Sequence, residues 1–193
     1  GRLEKEQNKN LEAIKYFEMA EKIKPNNSEV KFQLACLFEK VEGFNRAERY
    51  LTSLSLHLPS DPTVLSYIAS LYSTKNDRAE VSGEIDLNTF SVNDDNNYQN
   101  QALHYYNESF RFLPNDLNII SWLGVWFVKN ELHEKAITVF SVASEIEPDQ
   151  VKWELMITSC YRRMGRYYEA LELYEAIHER FPKNPKCLKY LSA

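Results

Sequence analysis

A proline ends a short amphipathic stretch at five places in this 193-residue chain, and the regular spacing of these prolines restricts the possible folds. They are Pro25, Pro59, Pro114, Pro148 and Pro182, with successive gaps of 34, 55, 34 and 34 residues. Five alanines repeat the same gaps, namely Ala13, Ala47, Ala102, Ala136 and Ala170. Because the long gap is one period plus 21 residues, a 34-residue unit recurs and a single insertion interrupts it.

A second helical pattern precedes the alanine stretch in four of these units. It consists of a hydrophobe, an adjacent small residue and an aromatic three positions later: Leu34, Ala35 and Phe38; Ile68, Ala69 and Tyr72; Leu123, Gly124 and Phe127; Ile157, Thr158 and Tyr161. A bulky residue also follows each alanine by four positions, at Phe17, Leu51, Tyr106, Phe140 and Tyr174. Small side chains let helix backbones approach, and bulky ones fill the space beside them. Each unit is therefore predicted to be two antiparallel helices, the second ended by proline.

Short polar residues after the prolines predict where the next helices begin. Asn115, Asp149, Asn184 and Asp61 are predicted N-caps, since their side chains can accept from free backbone N–H groups. Pro62 and Pro185 are expected at the first helical position, where a missing N–H costs nothing.

Period, small residues and terminal prolines together resemble the tetratricopeptide repeat. The resemblance implies an all-α fold, a right-handed superhelical solenoid of antiparallel helix pairs in which neighbouring pairs bury one another's apolar faces. The fourth position of the first helix departs from the family, which often has tryptophan there: this chain has Lys31, Leu65, Ile120 and Glu154. The tryptophans are instead Trp122, Trp126 and Trp153.

The expected organisation is a single repeat array over residues 1–193. It comprises the second helix of one repeat at 10–24, repeats at about 28–59, 62–114, 117–148 and 151–182, and the start of a further helix at 185–193. We expect such a chain to be a fragment of a longer array. The insertion, 78–98, carries five acidic residues and one basic residue and is interpreted as a solvated loop. The alternative is that Ile85, Leu87 and Phe90 dock on this array or on a partner.

Composition argues against several classes of partner. The net charge is −5 and no basic stripe is present, so neither nucleic acid nor an anionic membrane surface is expected to bind. No apolar run reaches 18 residues, and the polar start GRLEKEQNKN does not resemble a signal peptide. Cys36, Cys160 and Cys187 are an odd, widely spaced set, interpreted as reduced thiols of an intracellular protein.

The sequence contains no recognisable catalytic or metal-binding constellation. Glycines are too scattered for a phosphate-binding loop, and His57, His104, His133 and His178 are never four residues apart. These histidines are interpreted as surface or packing residues, and Cys160 as a buried structural thiol. We therefore predict a non-enzymatic protein with no cofactor, no metal and no small-molecule substrate.

Binding is the function that remains. In the geometry of the repeat family, five positions of each first helix face the concave groove. The candidate protein-binding residues are Phe32, Cys36, Ser66, Ser70, Ser121, Val125, Lys152, Leu155, Ser159, Arg162 and Arg163. Arg162 and Arg163 could hold an acidic segment, or could be two solvated arginines. Trp122 and Trp126 could anchor a partner, although packing between repeats is the favoured interpretation.

Several longer stretches carry a closer resemblance. ESFRFLP, the WLG at 122–124, VKW followed by SCYRRMG, and IHERFP resemble the C-terminal repeats of the Polaris family, densely over 100–191 and more loosely over 11–77. Members of that family are tetratricopeptide-repeat subunits in the core of intraflagellar transport complex B. The resemblance implies a non-catalytic scaffold of the cytoplasm, the cilium or flagellum and the basal body, bound to other complex B core subunits.

Two alternatives remain open. The chain could be a repeat adaptor of another multiprotein assembly, or the substrate-selecting arm of a larger enzyme.

Overall fold

The computed structural model describes residues 2–25, 27–41, 43–82 and 98–182, and within these ranges every regular element is a helix. The helices are α1 (Arg2–Ile23), α2 (Ser28–Val41), α3 (Phe44–His57), α4 (Pro62–Ser82), α5 (Tyr98–Phe112), α6 (Leu117–Lys129), α7 (His133–Ile146), α8 (Val151–Arg163) and α9 (Tyr167–Arg180). The prediction of an all-α chain is confirmed. Helix α1 begins well before residue 10, because the charged helix formers of its first turns include no breaker.

Each second helix ends two residues before its proline, so the predicted proline stops are confirmed. The last helical residues are Ile23, His57, Phe112, Ile146 and Arg180. Proline forces the residue before it out of the helical region, and that residue still donates its N–H to the last turn. Leu58 donates to the Leu54 carbonyl at 2.8 Å, and Phe181 donates to that of Ile177 at 2.8 Å.

The helix starts agree with the sequence only in part. Asp61 caps α4 as predicted, its Oδ1 accepting from the N–H groups of Thr63 at 2.9 Å and Val64 at 3.2 Å, and Pro62 is the first helical residue.

The caps predicted at Asn115 and Asp149 are wrong. Asp116 caps α6, and Gln150 stands at the N-cap of α8 without a side-chain bond. At each of these turns the N-cap lies two positions beyond the proline, which is one residue later than predicted at Asn115 and Asp149. Asn27, which also accepts from two N–H groups, obeys the same rule. Asn184 and Pro185, with the helix expected at 185–193, lie outside the described residues.

The chain divides into two compact units, Gly1–Phe112 (the N-terminal unit) and Leu113–Ala193 (the C-terminal unit). Consecutive helices pack on one another in each, α1 to α5 in the first and α6 to α9 in the second. In the N-terminal unit, the hydroxyl of Ser109 near the end of α5 donates to the Pro62 carbonyl at the start of α4, at 2.9 Å. In the C-terminal unit, Arg180 at the end of α9 reaches the Pro148 carbonyl ahead of α8 at 3.0 Å. Both pairs of helices are therefore antiparallel.

Small residues occupy the contacts predicted for them. Ala47, Ala102 and Ala136 are fully buried and Ala170 is almost so, whereas Ala13 is half-buried. At Gly124 an added Cβ would overlap the Phe140 ring of α7, so only glycine permits this approach of the two helices. The 34-residue register, inferred from spacing, thus corresponds to repeated close contacts.

The insertion is bounded differently from the prediction. Helix α4 continues to Ser82 and α5 begins at Tyr98, so both ends of the segment expected to lack helical structure are helical. Arg78, Ala79 and Glu80 favour helix and simply extend α4. Residues 83–97, which include Ile85, Leu87 and Phe90, lie outside the described part of the chain.

An aromatic cluster lies between α3, α4 and α5. The Tyr72 ring stacks on Tyr105 at 5.9 Å and on Tyr98 at 6.4 Å, and Phe44 meets Tyr72 edge-on at 5.5 Å. The Tyr72 hydroxyl donates to Glu48 at 2.7 Å. These aromatic contacts join the middle of α4 to the first half of α5.

Candidate protein-binding faces

In the N-terminal unit, the predicted face on α2 and α4 is centred on an aromatic pair. The rings of Phe32 and Tyr67 meet edge to face with centroids 5.3 Å apart, and both side chains are half-buried. The Tyr67 hydroxyl donates to Glu39 Oε2 at 2.5 Å. Two first helices of successive repeats are thereby joined by stacking and by a charge-assisted hydrogen bond. Tyr67 was not among the residues selected from the sequence, because its position is not one that the family turns toward the groove.

Cys36 lies beside this pair. Burial raises the pKa of its thiol, and the nearby Glu39 carboxylate acts in the same direction. Burial and hydrogen bonds to Cys36 and Glu39 also hold the pKa of the Tyr67 phenol well above its ordinary value. Both groups are neutral at physiological pH, so Cys36 offers an apolar contact and lacks the thiolate that a nucleophile requires.

The two serines predicted for this face differ in exposure. Ser66 is half-buried and donates to the Thr63 carbonyl of its own helix at 3.1 Å, whereas Ser70 is exposed. The middle of the face is therefore small and only partly available for hydrogen bonds.

In the C-terminal unit the predicted face lies on α6 and α8. Val125 is 40% exposed and Ser121 is half-buried. Leu155 packs partly against the core formed by Tyr174 and Ile177, which leaves less of it for a partner than the sequence suggested. Lys152 is held locally, with its Nζ 4.2 Å above the Trp153 ring and 3.6 Å from Glu147.

The basic end of this face is formed by Arg162 and Arg163 in the last turn of α8. Both are exposed, and Ser159 one turn earlier is half-buried. Cys160 on the same helix is buried, and burial raises its thiol pKa while Arg163 partly opposes that shift. The side chains therefore present two cations beside a neutral, structural thiol.

The three tryptophans have different roles. Trp153 is buried, its ring 6.1 Å from that of Phe140 in the preceding repeat, and its Nε1 donates to Glu147 at 2.9 Å. This is packing between repeats. Trp122 and Trp126 on α6 are both half-buried, so neither is a fully exposed anchor.

The histidines are separate from one another and from the faces. His57 and His104 are exposed, while His133 and His178 are half-buried. No group of three or more His, Cys, Asp or Glu side chains within the described ranges could hold a metal ion. Among the described residues, no helix has both the length and the apolar character needed to span a bilayer.

Two grooves between second helices were not predicted. One, of about 380 Å³, lies between α1, α2 and α3 and is lined by Glu21, Lys31, Arg46, Arg49, Tyr50 and Ser53. The other, of about 420 Å³, lies between α7, α8 and α9, and its lining includes Ile137, Ser141, Glu154, Tyr161 and Arg180. Each opens at the fourth position of a first helix, where the charged residues Lys31 and Glu154 stand. That departure from the family pattern was the signal in the sequence.

Comparison with known proteins supports the resemblance found in the sequence over a shorter stretch. No protein-family model matches the chain. Over 52 residues, 27% of the chain, it is 52% identical to the human protein described as intraflagellar transport protein 88 homolog. The matched stretch makes up 6% of that protein, so the chain corresponds to a small part of this relative.

Solved structures of similar fold cover nearly the whole chain. A MamA protein matches with a TM-score of 0.64 at 16% identity, over 96% of this chain and 90% of its own. A thermophilic TPR protein of Thermus thermophilus matches with a TM-score of 0.52 at 23% identity, over 93% and 87%. A tetratricopeptide repeat protein of Parabacteroides merdae matches with a TM-score of 0.63 at 16% identity, over 95% and 65%. The chain has the all-α tetratricopeptide-repeat fold.

Proposed function

We propose that this chain is a segment of a core subunit of intraflagellar transport complex B, acting without catalysis as a protein-binding scaffold in cilium or flagellum assembly and ciliary cargo transport. The observation that carries the proposal is the 52% identity to a human intraflagellar transport protein over 52 residues. Its place would be the cytoplasm, the cilium and the basal body, and residues 1–193 would form one repeat array.

The faces of the first helices support a binding role. Half-buried Phe32 and Tyr67 offer an apolar contact in the N-terminal unit, and exposed Arg162 and Arg163 offer charge in the C-terminal unit. Mixed surfaces with few aromatic anchors and a charged border are typical of protein interfaces. The proposed partners are other complex B core subunits, which would lay extended or helical segments on these faces.

Co-purification from ciliated cells tests the proposal. The tagged chain should recover complex B core subunits, and Arg162→Glu with Arg163→Glu should reduce that recovery. Arg111→Glu with Lys135→Glu is the matched control, since it makes the same change of charge on exposed residues of second helices and should leave recovery unchanged. Recovery of no complex B subunit in mild salt, or of a different assembly, contradicts the proposal.

A further inference from the structure

Glu154, at the fourth position of the first helix of its repeat, has an ion-pair partner within the chain. Arg180 lies 26 residues later, in the last turn of the following second helix, and its Nη1 is 2.6 Å from Glu154 Oε1. Its Nη2 donates to the Pro148 carbonyl at 3.0 Å. Because the guanidinium spans both acceptors, the charge of Glu154 is matched within the chain.

The two middle repeats have no charge to satisfy. At the fourth position they carry Leu65, 4% exposed, and Ile120, fully buried. The residues in the register of Arg180 are Phe112 and Ile146, so both members of each pair are apolar. Where the fourth position is apolar, its side chain is buried and needs no ion-pair partner.

In the first repeat the position is charged and the matching residue is not an acid. Lys31 is half-buried, and the residue 26 positions later is His57, whose Nδ1 lies 2.7 Å from the Ser53 carbonyl. Nowhere in the described parts of the chain does the side chain of Lys31, or that of Arg49 on the same groove, have an ion-pair partner. Among the described side chains, neither of these two cations facing one cavity forms an ion pair.

The rest of the groove is arranged around these cations. Arg46 lies 3.3 Å from Glu18 and 4.2 Å above the Phe38 ring, which fixes its guanidinium against the helix surface. Tyr50 donates its hydroxyl to Glu21 at 3.0 Å. Of the groove's lining residues three are cationic and one is anionic, although the whole chain is acidic at −5. Such a local reversal of sign favours an anionic occupant.

We propose that the groove between α1, α2 and α3 binds an acidic segment of a partner protein, with carboxylates placed at Lys31 and Arg49. The volume of about 380 Å³ suits one or two side chains rather than a folded surface. The partner's carboxylates would supply a counter-charge to Lys31 and Arg49, as Arg180 of this chain does for Glu154. This deepens the proposed scaffold function and rests on it in one respect, that the occupant is protein. The groove lies on the side of the second helices, apart from the faces predicted from the sequence.

Fluorescence anisotropy with a labelled oligoglutamate peptide tests the proposal on the full chain. Binding should weaken as salt rises, and Lys31→Met or Arg49→Met should each weaken it by about tenfold, the effect of losing a charge-assisted hydrogen bond. Arg111→Met, an exposed cation on α5, is the control and should leave the dissociation constant unchanged. Equal weakening by the control, equal binding of an uncharged peptide, or full competition by inorganic phosphate alone would overturn the proposal.

A second variant supplies the missing acid. His57→Glu places a carboxylate at the position that Arg180 holds in the last repeat, and should abolish peptide binding without lowering the melting temperature. Unchanged peptide binding in this folded variant also counts against the groove. Since Arg49 is exposed, Arg49→Met retains the fold and keeps the test decisive if Lys31→Met does not fold.

The outcomes separate this inference from the proposed function. Peptide binding without recovery of complex B subunits would leave the groove valid and the ciliary assignment wrong. Recovery of those subunits with no effect of Lys31→Met, Arg49→Met or His57→Glu on peptide binding would do the reverse.

Discussion

The grooves at Lys31 and Glu154 occupy the same register of the same fold, yet the charge at the fourth position has an ion-pair partner in only one of them. In the C-terminal unit, Arg180 meets Glu154 at 2.6 Å. In the N-terminal unit, His57 stands in the corresponding place and Lys31 has no acidic partner among the described side chains. A charged residue can therefore replace the usual bulky one in this fold either with an ion-pair partner of the same chain or without one among the described side chains.

The largest expected effect tests the register on which this comparison depends. Ala136 is fully buried against its neighbours, so Ala136→Trp should overpack the helix contact and lower the free energy of unfolding by about 1–3 kcal/mol or more. Ala176→Trp, on an exposed position of α9, is the matched control and should change it by less than about 0.5 kcal/mol. Urea denaturation measures both, and equal stability of the two variants would show the register to be wrong.

Breaking the ion pair should cost less. The Glu154 side chain is 20% exposed and that of Arg180 is 50% exposed, so solvent screens much of the attraction. A double-mutant cycle with Glu154→Gln and Arg180→Met should give a coupling of about 0.5–1 kcal/mol. The more exposed Arg111–Glu108 pair should give less, and a larger coupling there would contradict the expected dependence of the coupling on exposure.

Replacing the charge of Lys31 by an apolar side chain should stabilise the chain. Lys31→Leu introduces the apolar residue found at Leu65 and removes a half-buried charge that has no ion-pair partner among the described side chains, which should raise the free energy of unfolding by about 0.5–1 kcal/mol. Lys135→Leu, on the exposed side of α7, should give no such gain. Thermal and urea denaturation measure the free energy of unfolding of both variants, and an equal gain in the two would contradict this expectation.

The smallest effect is confined to alkaline pH. Burial, the hydrogen bond to Glu21 and the charge of that carboxylate raise the pKa of Tyr50 from its ordinary 10.0 to about 12. Because the folded pKa is the higher one, the stabilisation is complete below pH 10 and is lost as pH rises from 10 to 12. Tyr50→Phe should make the loss of stability over this pH range less steep, while tyrosines such as Tyr67 with a raised pKa still contribute to it. A titration of tyrosinate absorbance that shows all tyrosines ionising together near their ordinary pKa would contradict it.

Much of the fold could be predicted because its causes are local. A proline cannot continue a helix, so the five prolines mark where second helices end, and small residues beside bulky ones mark the helix contacts. The caps at Asn115 and Asp149 were wrong because the length of a turn depends on backbone geometry that residue type does not specify. The extension of α4 to Ser82 was missed because a repeat register indicates where a helix packs but not how far it continues beyond the packed part.

The candidate sites were less accessible to sequence reasoning. Assigning residues to a groove by position identified Arg162, Arg163 and Val125, which are exposed, and also Leu155, which packs partly into the core. It did not identify Tyr67, which joins Phe32 and Glu39, since that contact links residues 28 apart in sequence. Pairings over such distances depend on which rotamers the neighbouring helices allow.

Residue types and their spacing were enough to predict the repeat, its period and its close helix contacts, and they placed Lys31 and Glu154 where the family often has tryptophan. That Arg180 pairs with Glu154, while Lys31 has no acidic partner among the described side chains, follows from the packing of distant helices. The two kinds of feature depend on interactions that act over different distances along the chain. Helix formation and termination depend on neighbours within a few residues, whereas the free energy of a charge depends on every group that folding brings around it.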